Sequence, residues 1–353
     1  MNLPSRRLAN TVLVLVLVLV AGAGAAGCGL ASDAPTAAAG ASRCRGPATA
    51  VAKAELEPIA RRPEPALPTT VTDFTGDRVT VRDADRILAL DAYGTLASTV
   101  YALGLGDRLV GRDVSTGIPA LMDLPLVTHN GHELNAEAIL DLDPSVVLTD
   151  YSIGPLEVQL QLKDAGIPVV IMEDARSRDR IAPQIEAVAE VLGVPELGRR
   201  LVARTEAQIA EAEAEVERLA PDDPEARVRM VFLYMRGNAG VYYWFGKDSG
   251  ADDLIEALGG IDVATQVGLK GMRPINAEGL VKSEPEMFLM MSHGLESVGG
   301  VDGLTEVAGI ADTTAGQSRC VVDMSDYQIL SFGPQFPATP RALARAVYST
   351  QEP

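Results

Sequence analysis

Histidine and cysteine are scarce in this chain, three of each in 353 residues, and aromatic side chains make up only 4% of it. It has no HExxH helix, no GxSxG turn and no run in which carboxylates and histidines crowd together. The common metal-dependent and serine hydrolase arrangements are therefore missing, which leaves an enzyme with little support. Positive charge is also short. Thirty Lys and Arg stand against 48 Asp and Glu, a formal net charge of -18, which argues against nucleic acid as a partner because phosphate binding needs a basic surface.

What is present begins with "MNLPSRRLANTVLVLVLVLVAGAGAAGCGL": a basic start (Arg6, Arg7), an apolar run from Thr11 to Val20, then small residues up to Cys28. This is the pattern of a secretory signal, with an apolar run too short to be a stable bilayer span. "AAGC" looks like a lipobox, which would make Cys28 a lipidated N-terminus after cleavage. Cleavage by an ordinary signal peptidase, leaving Cys28 as a spare thiol, is the alternative. Export also permits a disulfide, and a bridge between Cys44 and Cys320, the only other cysteines, would tie the leading segment to the last lobe.

Residues 28–69 are rich in Ala, Pro and Gly with no apolar period, the composition of a flexible tether. Beyond them, short apolar strands alternate with helices: "RILAL", "TLASTVYALGLG", "RLVGR", "AEAILDLD", "SVVLTD", "LEVQLQLKDAG" and "IPVVIM". That alternation marks an α/β lobe with a mostly parallel sheet. A helix-favouring stretch follows, whose second part, about 25 residues from Pro195, spans roughly 36 Å. A second α/β series then runs from "RVRMVFLYM" to the closing helix "PRALARAVY". The expected division is signal peptide 1–27, tether 28–69, first lobe 70–175, connecting helix 176–221 and second lobe 222–353. The fold class is α/β: two Rossmann-like lobes joined by a long helix.

The halves share a phrase. "LNAEAILDLDPSVVLTD" and "INAEGLVKSEPEMFLMM" align without a gap, each with an Asn suited to cap a helix (Asn135, Asn276). Each also has a Glu in the first turn (Glu137, Glu278) and a Pro before the next strand. Identical spacing favours two related lobes.

A lipidated signal, a tether, two α/β lobes and this repeated unit together resemble the substrate-binding proteins of iron-siderophore, haem and cobalamin ABC importers, over roughly residues 70 to 353. "GHELNAEAIL", "FLYMRG", "VYYWFGKDSGADDLIEALGG" and "GLESVGGVDGL" are similar to the HmuT-like haem carriers of that family. The resemblance implies haem b as the transported ligand, a permease dimer with its ATPase as partners, and an extracytoplasmic chain anchored through lipid on Cys28. It also implies that a His of the first lobe and a Tyr of the second bind the iron with an Arg beside the Tyr, at the positions of His132, Tyr234 and Arg236. Glu137 and Glu278 would dock onto arginines of the permease. A ferric siderophore or cobalamin is the alternative ligand, and a haem sensor or storage lipoprotein the alternative role.

The residues themselves fit this chemistry. His132 precedes Asn135 by three positions, in a loop that would line the crevice at the strands' carboxyl ends, where an imidazole can give iron a nitrogen donor. His129 competes for the role, as do His293 and Tyr93. Tyr234 ends an apolar strand with Arg236 two residues on, hence on the same face, where a guanidinium favours the phenol's charged form. In "VYYWF", Tyr243 shares one face with Val241 and Phe245 while Tyr242 and Trp244 share the other; alternation leaves open which face meets the ligand. Met290 and Met291 reach the same edge, and Met291 is taken as the cleft contact.

Overall fold

The computed structural model describes residues 46–52 and 56–349; Cys28 and Cys44 lie outside them, so the expected lipidation site does too. In the first lobe, Ile87–Leu90, Val146–Thr149 and Val169–Ile171 form a parallel sheet with Val146–Thr149 in the middle. All three strands are buried along their whole length. A parallel sheet covered on both faces requires such unbroken apolar runs, which is why these strands read as Ile, Leu and Val without alternation.

The second lobe is built on a seven-stranded mixed sheet. Its centre is Arg229–Arg236, parallel to Met287–Met291 on one side and antiparallel to Val241–Phe245 on the other. Met287–Met291 continues into Val321–Met324, and Val241–Phe245 into Met272–Pro274. The two lobes are joined by the helix Pro195–Leu219. Its buried residues, Gly198, Leu201, Thr205, Ile209, Ala212 and Val216, recur every three or four positions and so form one stripe. That stripe packs on the preceding helix Ile181–Val191 and on Ala338–Tyr348 of the second lobe. A single apolar cluster runs from Leu148 through Ile185 and Leu201 to Phe232 and Leu289. The lobes are thus fixed to one strut through shared core, an arrangement that favours small adjustments of the cleft over wide opening.

The described part of the expected tether is not loose. Ala48–Ala50 adds an edge strand parallel to Val321–Met324, with the Thr49 hydroxyl donating to Asp323 at 2.9 Å. Ile59 N–H then donates to the Ala102 carbonyl in the first lobe and Ala66 N–H to that of Gly193, just before the helix Pro195–Leu219. Composition misses this because the segment is held by backbone hydrogen bonds to ready-made edges and needs no apolar period of its own. Cys320, which precedes Val321–Met324, is buried and disulfide-bonded. Among the described residues no helix is long and apolar enough to cross a membrane.

Candidate functional site

Three loops at the carboxyl ends of the first lobe's strands are locked together by buried carboxylates. Asp91, at the end of Ile87–Leu90, accepts the backbone N–H groups of Tyr93, Thr95 and Leu96. Asp113 accepts those of Ser115 at 2.9 Å and Thr116 at 2.8 Å through one oxygen, and that of Asp91 at 2.9 Å through the other. Asp150 binds Ser152, whose hydroxyl accepts from Ala92 N–H at 3.0 Å. Glycine is required at position 94: its φ is +66°, and a Cβ there would collide with the Ser115 carbonyl. Arg176 sits among these acids, 2.8 Å from Asp150 and 3.5 Å from Asp91, with its guanidinium 4.5 Å above the ring of Tyr93. Asp91 and Asp150 share this one cation, and Asp113 is bonded to the Asp91 backbone beside them, so three buried carboxyls lie close together and cannot all stay ionised cheaply. Burial and the neighbouring Asp91 charge push Asp113 up to about 7 and Asp150 up to about 6. Burial also raises the Tyr93 phenol, against the pull of Arg176.

The His-bearing loop is a hairpin. Thr128–His129 pairs with Glu133–Leu134, and Asn130 and Gly131, at φ of +46° and +91°, form its turn. An Asn-Gly pair between short strands is a strong hairpin signal; the stretch expected only as a loop ahead of a helix is thus a short hairpin. The hairpin turns its two histidines to different places. His129 Nε2 lies 3.4 Å from Glu133 on the exposed side, whereas His132 is half-buried with Nδ1 3.4 Å from the Ser115 hydroxyl. Burial, and then the guanidinium of Arg236, lower the pKa of His132 against the opposing pull of Asp91, which keeps the imidazole neutral with a lone pair to offer. Asn135 caps the following helix Ala136–Asp141 through the N–H of Ala138, as Asn276 caps Ala277–Lys282 through Gly279. Glu137 and Glu278 are exposed in the first turns of these two helices.

In the second lobe, strand pairing selects the face. Tyr243 lies opposite Tyr234 and Val241 opposite Arg236, so Tyr234, Arg236, Tyr243 and Phe245 project to one side. Tyr234 stacks on Phe245 with ring centroids 5.9 Å apart, and the Arg236 guanidinium lies 4.5 Å above the Tyr234 ring. That guanidinium is held by the Met235 carbonyl at 2.9 Å and by Asp326 at 3.1 Å. Trp244, on the other face, is buried in a separate apolar cluster with Tyr242 packed against it. Alternation likewise separates Met290, which is core, from Met291, which borders the cleft.

A cavity of about 840 Å³ opens between the lobes. Tyr93, Ser115 and His132 line it from the first lobe; Tyr234, Arg236, Tyr243, Phe245, Met291 and His293 line it from the second. Its volume is in the range of organic ligand sites. Among the residues singled out from sequence, the cavity gathers His132, Tyr234, Arg236, Tyr243, Met291, Tyr93 and His293, while His129 is not among its lining. His293 is exposed at the rim, its Nδ1 3.6 Å from Asp326. Sequence reasoning did not anticipate Ser115, Arg176, Asp326 or Tyr327. These are loop residues of ordinary type whose neighbours come from distant parts of the chain, and only topology brings them together.

A family model described as periplasmic binding protein matches residues 92–327. A crystal structure of the heme binding protein HmuT is 44% identical, covering 88% of this chain and 99% of that one, with a TM-score of 0.84. The periplasmic heme-binding protein RhuT from Roseiflexus sp. RS-1, in apo form, is 35% identical over 75% of this chain and 98% of that one, with a TM-score of 0.69. An uncharacterized ABC transporter substrate-binding lipoprotein of Bacillus subtilis (strain 168), YvrC, is 24% identical over 82% of this chain and 88% of that protein.

Proposed function

The chain belongs to the periplasmic binding protein family, and from that membership we propose that it captures haem outside the cell membrane and delivers it to an ABC importer, His132 and Tyr234 giving the iron one donor from each lobe. The observation that carries the reading is that a single cavity is lined by His132 from one side and by Tyr234 with its stacked Arg236 from the other. Imidazole and phenolate are both axial haem donors, and two donors on facing walls suit a flat macrocycle lying between them. Tyr243, Phe245 and Met291 supply apolar surface to the same cavity. A siderophore or corrinoid would have no need of that pair.

The relatives support the ligand. HmuT and RhuT are both named as heme-binding. Solved variants of HmuT replace one His, one Tyr and one Arg by Ala, with the Tyr and the Arg two positions apart, as Tyr234 and Arg236 are here. For delivery, Glu137 and Glu278 are exposed on equivalent helices, one in each lobe, and among the described residues neither is in ion-pair contact with a cation. They are suited to arginines of a two-fold permease, where charge pairs set register and encounter rate more than affinity. The permease's ATPase completes the importer. Lipid on Cys28 would hold the chain at the outer face of the membrane, a reading supported by the lipoprotein relative. The test is a hemin titration of the purified chain followed at the Soret band. Tight binding that weakens in His132→Ala and in Tyr234→Ala is expected; parental affinity in both variants would refute the ligand assignment.

A further inference from the structure

We propose that Ser115 fixes the tautomer of His132 and so decides which ring nitrogen is presented to the iron. The last step of this inference rests on the haem reading above; the tautomer itself does not. A serine hydroxyl has one proton to donate. The Ser115 Oγ lies 2.8 Å from the Ala92 carbonyl oxygen, which can only accept, so the proton is committed there. His132 Nδ1 lies 3.4 Å from the same Oγ, where only lone pairs remain. Nδ1–H is then the form that can hydrogen-bond this oxygen, which leaves the neutral ring bare at Nε2. Free histidine favours the opposite form, so the preference is imposed by the fold.

The hydroxyl is held firmly enough to impose it. Ser115 N–H donates to Asp113, which is fully buried and whose second oxygen accepts Asp91 N–H, one residue before Ala92. One carboxyl thus ties the serine to the strand end that carries its acceptor. The glycine at position 94 lets the two loops touch, since a Cβ there would meet the Ser115 carbonyl. Thr128, in the hairpin that carries His132, accepts Val114 N–H at 3.1 Å, so the histidine and its partner are joined on both sides. Ser115 is a positioning residue: it acts through the imidazole, as the outer partners of metal-bound histidines do.

The experiment uses the chain labelled with 15N histidine. Having three histidines, it gives a spectrum in which His132→Ala identifies the signal of interest. Without haem, the parent is expected to show His132 as the Nδ1–H form. Ser115→Ala should lose that preference and Ser115→Thr, which keeps a hydroxyl, should retain it. On adding hemin, Ser115→Ala should bind about 10- to 100-fold more weakly than the parent. An Nε2–H ring in the parent, or an unchanged tautomer in Ser115→Ala, overturns the proposal before any haem is added. A tautomer that follows Ser115 while His132→Ala binds hemin like the parent would instead overturn the step to iron together with the ligand assignment.

Discussion

Removing Asp113 should loosen the first lobe's side of the cleft by an amount that can be worked out from its bonds. In Asp113→Ala the N–H groups of Asp91, Ser115 and Thr116 lose their acceptor, as does the Thr116 hydroxyl, which bonds Asp113 at 3.0 Å. A buried donor left unpaired costs about 1–3 kcal/mol. Three amides would give roughly 3–9 kcal/mol if the loops stayed rigid. The hydroxyl can turn elsewhere, the loops can relax, and loss of an unfavourably buried carboxyl offsets part of the cost. Roughly 3–5 kcal/mol of destabilisation is the expectation, a large share of the about 5–15 kcal/mol typical of a folded chain. Asp113→Asn keeps one acceptor but turns its NH2 toward one of these donors, so roughly 1–3 kcal/mol should be lost. The pH dependence has a definite sign. Burial and the Asp91 charge push Asp113 from 3.8 up to about 7, so between those values the native state holds a proton that the unfolded chain releases. The contribution of Asp113 to stability then falls as pH rises through that window. The stability gap between the parent and Asp113→Asn should therefore narrow from pH 5 to pH 7. Urea unfolding followed by far-UV circular dichroism at those pH values measures both quantities. An alanine variant within about 0.5 kcal/mol of the parent, which is the scatter of ordinary surface changes, or a gap that widens with pH, would refute the reasoning.

Arg236→Ala should leave the fold intact, since this side chain is only half-buried, but weaken haem binding because an anionic donor loses the positive charge stacked on it; a spectral pH titration of the hemin complex should show greater pH dependence than in the parent, and an unchanged profile would reduce Arg236 to a surface charge. Glu137→Arg combined with Glu278→Arg should leave hemin affinity as in the parent and abolish haem-dependent growth through the cognate importer. Normal growth would make these glutamates helix-end charges worth about 0.3–1 kcal/mol each.

Much of this architecture is legible in the chain. Unbroken apolar runs such as Val146–Thr149 announce parallel strands, and the duplicated helix starts at Asn135 and Asn276 announce two lobes. Tyr234 and Arg236 could be placed on one face because a strand alternates strictly. The same rule left Tyr243 and Tyr242 undecided, since alternation separates two faces without saying which is turned to the cleft; pairing of Tyr243 with Tyr234 decides it. The segment around Ala48–Ala50 was illegible because its hold on the lobes is backbone hydrogen bonding, which Ala and Pro do not advertise. The cluster of Asp91, Asp113, Asp150 and Arg176 was illegible for another reason. Its members lie on separate loops, and nothing local distinguishes a buried aspartate that accepts backbone amides from a solvated one.

The central claim is that iron is held between His132 and Tyr234. Electron–nuclear double resonance on the ferric haem complex, prepared with 15N histidine, addresses it directly when the optical spectrum is recorded on the same samples. The parent should show coupling to one histidine nitrogen together with a phenolate-to-iron charge-transfer band. His132→Ala should lose the coupling and keep the band, and Tyr234→Ala should do the reverse. Histidine coupling that survives in His132→Ala, or a phenolate band that survives in Tyr234→Ala, would contradict the account and move the search to His293 and Tyr93, which line the same cavity.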